Sequence, residues 1–193
     1  MKCDIILAGV GGQGILSIAA AIGWGAIDNS LFIKQAEVHG MSQRGGAVQS
    51  HLRISDQEIS SDLIPLGEAD IIISVEPMES LRYLPYLNKD AWLVTNSKPF
   101  VNIPNYPDIN EVYAQIKEVK NHVIIDAEKI AKEIGSVRVS NIVMLGASSL
   151  FIFVPYESIK KGIRQIFSRK GEDIVNLNLT AMDSGRKFSE ENR

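Results

Sequence analysis

The sequence predicts an α/β domain, a central sheet flanked by helices in three layers, followed by a helical C-terminal segment. Three observations predict it. Short apolar runs alternate with helical patterns through the first two thirds of the chain, as strands joined by crossover helices do. The first run, Cys3 to Ala8, is dense in apolar residues, which suits a strand covered on both faces. Beyond residue 139 the strand patterns stop and only helical ones remain. At 193 residues the chain fits one moderate domain, so 1–193 is expected to fold as a unit.

Each element follows from local pattern. After Cys3 to Ala8 comes a glycine-rich turn, then Ile15 to Ile27, where Ile15, Ile18, Ile22 and Ala26 recur at helical spacing. Leu31 to Val38 reads as the next strand, and Ala47 to Ile54 alternates as a strand with unlike faces does, with Gly40, Gly45 and Gly46 marking the loop between them. Ala69 to Val75, Ala91 to Thr95 and His122 to Asp126 are further strands, with helical patterns near 76–87, 110–118 and 127–134. Three prolines in Lys98 to Pro107 predict an extended surface loop with little internal hydrogen bonding. Helices are expected over Asn141 to Phe153, Tyr156 to Ser168 and Glu172 to Lys187, with Gly171 breaking the last two.

Composition excludes several functions. Twenty Lys+Arg against 23 Asp+Glu give a net charge of -3, which supplies no bulk attraction for nucleic acid or an anionic membrane. Ile5 to Ile27 is uncharged and long enough to span a bilayer, but its six glycines read as strand, turn and helix. The expectation is therefore a cytoplasmic protein with no membrane segment. Cys3 is the sole cysteine, so the chain alone can hold neither an iron-sulfur cluster nor a structural zinc site. Histidines 39, 51 and 122 form no HxxxH or HExxH pair, and no metal ligand set is expected.

Two loops could carry binding. Gly9-Val10-Gly11-Gly12-Gln13-Gly14 satisfies GxGxxG between a predicted strand and helix, giving a Rossmann-like first βαβ unit. Glycines permit close backbone approach, and the free N–H groups of a helix N-terminus attract phosphate or carboxylate. A dinucleotide site also wants an acidic residue about twenty positions on, and Glu37 is placed for it. The plainer alternative is a tight strand-to-helix turn. Ile15-Leu16 after Gly14 excludes a Walker phosphate loop. In the second loop, His39 to Gly46, the guanidinium of Arg44 between glycines could grip a carboxylate or phosphate, or form an ordinary surface salt bridge.

Other groupings weigh less. Glu37 with His39, and His51 with Arg53, share strand faces, which is more often a structural polar pair than an acid-base couple. Cys3 is expected to be an inert small hydrophobe in a buried strand. The carboxylates of Glu76-Pro77-Met78-Glu79 suit the first turn of a helix. No Ser-His-Asp set or GxSxG elbow is present, and no catalytic residue is assigned to this chain.

These residues resemble the gamma-type domain of the 2-oxoacid:ferredoxin oxidoreductases. The resemblance rests on Gly9-Val10-Gly11-Gly12-Gln13-Gly14-Ile15, on His39-Gly40-Met41-Ser42-Gln43-Arg44-Gly45-Gly46 leading into Ser50-His51-Leu52-Arg53-Ile54, and on Asn141-Ile142-Val143-Met144-Leu145-Gly146 and Asn178-Leu179-Thr180-Ala181. The His39 block departs from the Tyr-Gly-Pro-Glu-Met-Arg-Gly-Gly-like form of pyruvate-type members and looks like the branch that acts on indolepyruvate and other aryl pyruvates. The resemblance implies a noncatalytic subunit. Its partner alpha subunit would carry thiamine diphosphate, magnesium and [4Fe-4S] clusters, coenzyme A would accept the acyl group, and ferredoxin the electrons. Gly9, Gly11, Gly12, Gln13 and Gly14 are then expected to bind cofactor. His39, Gln43, Arg44, Gly45 and Gly46 would contact substrate, coenzyme A or the partner. The rival readings are a free-standing NAD(P)-binding α/β oxidoreductase and a stand-alone binding module.

Overall fold

A computed structural model describes residues 1–39, 45–101 and 103–193. Six strands form one mixed sheet: β1 (Lys2–Val10), β2 (Phe32–His39), β3 (Ala47–Ser55), β4 (Ala69–Ser74), β5 (Leu87–Asn96) and β6 (His122–Ile125). Their spatial order is β2-β3-β1-β4-β5-β6. β1, β4, β5 and β6 run parallel, whereas β3 is antiparallel to both β1 and β2. The chain leaving β1 therefore passes over one strand position before laying down β2 at the edge, and β3 fills the gap.

Alternation along β1 explains the layers. Ile5 and Leu7 point into the larger core, Ile6 and Ala8 into the smaller one, and all four are wholly buried. The larger core is roofed by α1 (Ile15–Asp28), α4 (Ala127–Ile134), α5 (Ser140–Ser148), α6 (Tyr156–Phe167) and α7 (Glu172–Asn192). The smaller is roofed by α2 (Pro77–Arg82) and α3 (Ile109–Lys117). The helical C-terminal segment is thus not an appendage: it completes the layer that α1 begins.

Residues Ile142 to Ser148 of α5 are all buried. α7 can approach it closely because both helices place glycine at the crossing. A Cβ on Gly185 would stand 1.9 Å from the Val143 carbonyl oxygen, and one on Gly146 2.0 Å from that of Met182. Two predicted helices are shorter than their patterns. α2 ends at Arg82 and a 3-10 turn covers Leu84–Tyr86, since Pro85 has no N–H to continue an α-helix. α5 likewise gives way to a 3-10 turn at Ser149–Phe151.

The proline-rich stretch is anchored rather than loose. Glu76, wholly buried, caps α2 by accepting the Glu79 N–H at 2.8 Å, and its other carboxylate oxygen accepts the Phe100 N–H at 3.2 Å and the Tyr106 hydroxyl. Tyr113 adds a hydroxyl bond to the Ser97 carbonyl. A buried carboxylate supplies the hydrogen bonds that the loop cannot make to itself. At the opposite end of β1, Asp4 receives Arg53 through Nε at 2.8 Å and Nη2 at 3.1 Å. Arg53 is therefore structural.

Candidate functional site

The glycine loop leaves the C-terminal end of β1 and turns into α1. Gln13 holds it. Its side-chain oxygen accepts the Val10 N–H at 2.8 Å, and its amide nitrogen donates to the Val75 carbonyl at 3.4 Å, which bridges the ends of β1 and β4. Gly14 caps α1 with φ +81, a left-handed conformation that favours glycine, and a Cβ there would lie 2.5 Å from Asn141 Nδ2. The first turn of α1 carries no acidic residue, and Gly14 supplies no side-chain cap. Its orphan N–H groups thus keep the partial positive charge of a helix start.

The predicted blocks meet at this loop. Gly11 donates its N–H to the Gly46 carbonyl at 2.9 Å, and Gly45 returns one to the Gly11 carbonyl at 3.5 Å. From the other side, Asn141 donates to the Gly14 carbonyl at 3.0 Å. Gly9, Gly11, Gly12, Gln13 and Gly14 therefore lie together with Gly45 and Gly46, and Asn141 joins them. Gln43 and Arg44 lie outside the described residues, as does the His39 side chain.

Two hollows flank the loop. The larger, about 480 Å³, is bounded by Gly12, Gly14, Ser17, Arg138, Lys170 and Asn178 among others, and no Asp or Glu lines it among the described residues. Hydroxyls, amides, two cations and a helix N-terminus around one space suit an anion. The smaller, about 310 Å³, lies between the loop, Leu16, Glu37 and Val48. A narrow polar recess beneath the loop brings together Gln13, Asn96, Glu128 and Asn141. There Asn96 donates to the Val75 carbonyl at 3.3 Å and to Glu128 Oε1 at 3.2 Å. Burial raises the Glu128 pKa above its ordinary value.

Asn96, Glu128 and Arg138 were not singled out by sequence reasoning. The one available signal was position: Asn96 ends β5 and Glu128 opens α4, at the strand C-termini where α/β sheets place ligands. Cys3 is buried, and burial pushes its thiol pKa up to about 12, the setting of a core thiol that packs as a small hydrophobe. Among the described residues no group of three or more His, Cys, Asp or Glu could hold a metal ion. No described helix is long and apolar enough to cross a membrane.

Residues 4–188 match the family model of the pyruvate ferredoxin/flavodoxin oxidoreductases. The chain belongs to that family. Among its relatives, the indolepyruvate oxidoreductase subunit IorB of Archaeoglobus fulgidus is 36% identical over 194 residues, covering 96% of this chain and 94% of that one. IorB of Pyrococcus horikoshii is 37% identical over 198 residues, covering 97% and 96%. A solved 2-oxoglutarate:ferredoxin oxidoreductase from Magnetococcus marinus, with 2-oxoglutarate, coenzyme A and succinyl-CoA bound, shares the fold with a TM-score of 0.79 at 22% identity. It covers all of this chain, which spans about a third (32%) of that longer one.

Family membership does not favour a free-standing NAD(P) oxidoreductase, and the topology agrees. A dinucleotide site grips ribose from the strand beside β1, but here that strand is β3, and Glu37 stands on β2, one position further out.

Proposed function

We propose that this chain is the beta, gamma-domain subunit of an indolepyruvate:ferredoxin oxidoreductase, completing an active site whose reactive groups lie on an alpha subunit. The carrying observation is the 36–37% identity to two IorB subunits over nearly the full length of both chains, supported by Gly45, Gly46 and Asn141 meeting the glycine loop. In the reaction, the bond between the carboxylate and the keto carbon of the aryl pyruvate breaks and carbon dioxide leaves. The acyl carbon gives two electrons to ferredoxin, the coenzyme A sulfur forms the thioester, and the thiol proton is released.

Thiamine diphosphate, magnesium and [4Fe-4S] clusters do not fit the residues of this chain: its one thiol is buried, and no Gly-Asp-Gly with a downstream Asn is present to grip a magnesium diphosphate. They are assigned to the alpha subunit. The present chain binds and orients. Its larger hollow, where Arg138 and Lys170 face the start of α1, receives the phosphates of coenzyme A, and Arg44 contacts substrate, coenzyme A or the partner.

The testing experiment mixes purified chain with purified alpha subunit and follows viologen reduction with coenzyme A and indolepyruvate, pyruvate or 2-oxoglutarate. Indolepyruvate is expected to give the highest kcat/KM. A preference for pyruvate or 2-oxoglutarate would refute the substrate assignment.

A further inference from the structure

Resting on the binding role proposed for the glycine loop, we infer that Glu128 is a positioning residue for that loop, holding it through Asn96 and Gln13. α4 opens with two carboxylates that part company. Asp126 caps the helix by accepting the Lys129 N–H at 2.9 Å and pairs with Lys98 at 3.4 Å on the outside. Glu128, in the same first turn, reaches inward to the recess of about 60 Å³ beneath the loop, where it is the only titratable group among the described residues.

Each amide in this line has one orientation that satisfies its neighbours. The Ala127 N–H is a donor, and Asn96 Oδ1 accepts it at 3.2 Å. That turns Asn96 Nδ2 toward two acceptors, the Val75 carbonyl at 3.3 Å and Glu128 Oε1 at 3.2 Å. The Val10 N–H likewise claims Gln13 Oε1 at 2.8 Å and leaves Gln13 Nε2 for the same Val75 carbonyl at 3.4 Å. Two amides therefore meet on one carbonyl and fill both of its lone pairs. An unbroken line of bonds runs from the start of α4, through the ends of β5 and β4, to Val10, where the loop leaves β1.

Glu128 anchors this line. Asn96 is 2% exposed, so its second amide proton is out of reach of bulk water. A carboxylate acceptor gives that proton a charge-assisted bond, roughly twice as strong as a neutral one. Without the acceptor the Asn96 amide is free to turn, its bond to Val75 loosens, and Gln13 loses the fixed carbonyl against which it holds Val10. The far end of the loop is pinned separately, by Asn141 on Gly14, so Glu128 governs the Val10 end.

Stability alone does not call for this carboxylate. A first-turn Glu complements the helix dipole as well from the surface. Glu128 Oε2 is instead buried with no hydrogen-bond partner among the described residues, which costs free energy. Gln13, Ser140 and Asn141 line both the recess and the larger hollow, so what Glu128 holds in place on one side of the loop bounds the anion space on the other.

The test reads amide hydrogen exchange by NMR in the full chain. Glu128→Leu keeps the bulk and removes the acceptor. Exchange at Val10 is expected to quicken at least about 10-fold, while Ile6, midway along the same strand, stays within about twofold. Glu128→Gln keeps an acceptor oxygen for Asn96 and should hold Val10 within about threefold of wild type. Should the leucine variant fail to fold, Glu128→Ala carries the same comparison, with at least about threefold expected at Val10. Val10 exchange unchanged from wild type in the leucine or alanine variant overturns the positioning role, and so does a glutamine variant as fast as the leucine one. An equal rise at Val10 and Ile6 overturns it too, since that marks a carboxylate that only stabilises the fold. In the complex with the alpha subunit, Glu128→Leu should raise the KM for coenzyme A about 3- to 10-fold with kcat within about twofold, and Glu128→Gln should restore it. A wild-type chain that forms no active complex refutes the proposed function and leaves the exchange result standing. Faster Val10 exchange with an unmoved KM refutes the coenzyme A assignment alone.

Discussion

The side-chain amide of Asn141 donates to the carbonyl of Gly14 at 3.0 Å, joining residues 127 positions apart. This bond ties the buried helix α5 to the start of α1, and with it the C-terminal helices to the glycine loop. Losing the donor leaves the Gly14 carbonyl with the Ser17 N–H alone, at 3.1 Å, and unties α5 from the loop. Asn141→Ala is expected to cost about 1 kcal/mol in urea unfolding. Asn141→Asp should cost as much or more, because a carboxylate cannot donate and repels the carbonyl. In the assembled enzyme both should lower kcat/KM by more than their stability loss explains.

Gly185 meets the backbone of α5 with no room to spare. Gly185→Ala drives a methyl to within 1.9 Å of the Val143 carbonyl oxygen, so α7 must shift away from α5. Expected destabilisation is about 3 kcal/mol, read as a drop in Tm of roughly 6–12 °C. The same substitution at Gly67, where a Cβ meets nothing within 4 Å, faces backbone strain alone from its φ of +75, and should cost less, about 1–2 kcal/mol.

Much of this architecture was legible in the sequence, for identifiable reasons. Every predicted strand is present because apolar runs such as Ile71-Ile72-Ile73 admit few other fates when bounded by turn residues. The C-terminal helices are legible for the same reason, from Ile159 and Ile163 at helical spacing. Strand order was not legible, since local pattern carries no register between β3 and β1. The place of Glu76 at a helix start was legible, and it does cap α2, but its anchoring role was hidden: nothing near residue 76 announces that Phe100 and Tyr106 will come to it. At the site, Gly9 to Gly14 stood out through spacing, whereas Asn96, Glu128 and Arg138 are ordinary residue types made notable only by where the fold brings them.

His51 gives the fold a pH dependence. It is 3% exposed, its Nδ1 accepts the Ile64 N–H at 3.0 Å, and Tyr86 meets its ring edge-on. Burial lowers its pKa below the ordinary 6.5, Arg53 adds to that, and Asp62 opposes it. A depressed pKa means that the fold holds the neutral ring. The stability it contributes is complete above pH 6.5 and is lost as pH falls through the lower folded value. Tm should therefore fall from pH 6.5 downward more steeply in wild type than in His51→Gln. Thermal melts of both from pH 8 to 5 check this; parallel curves would contradict it.

Arg138 tests the anion hollow. It is exposed, so Arg138→Ala should leave Tm within about 1–2 °C of wild type. In the assembled enzyme the KM for coenzyme A is expected to rise about 3- to 10-fold, in line with one charge-assisted contact. The KM for indolepyruvate should not move, and an equal rise in both would place the hollow elsewhere in the reaction.

Under the proposed function, this chain shapes a site whose chemistry belongs to another subunit. A titration of the chain into a fixed amount of alpha subunit, read as viologen reduction with indolepyruvate and coenzyme A, tests it most directly. Neither component alone should turn over, and the rate should climb and then level off at a fixed ratio of the two. Full activity from the alpha subunit by itself, or from this chain by itself, would contradict the claim.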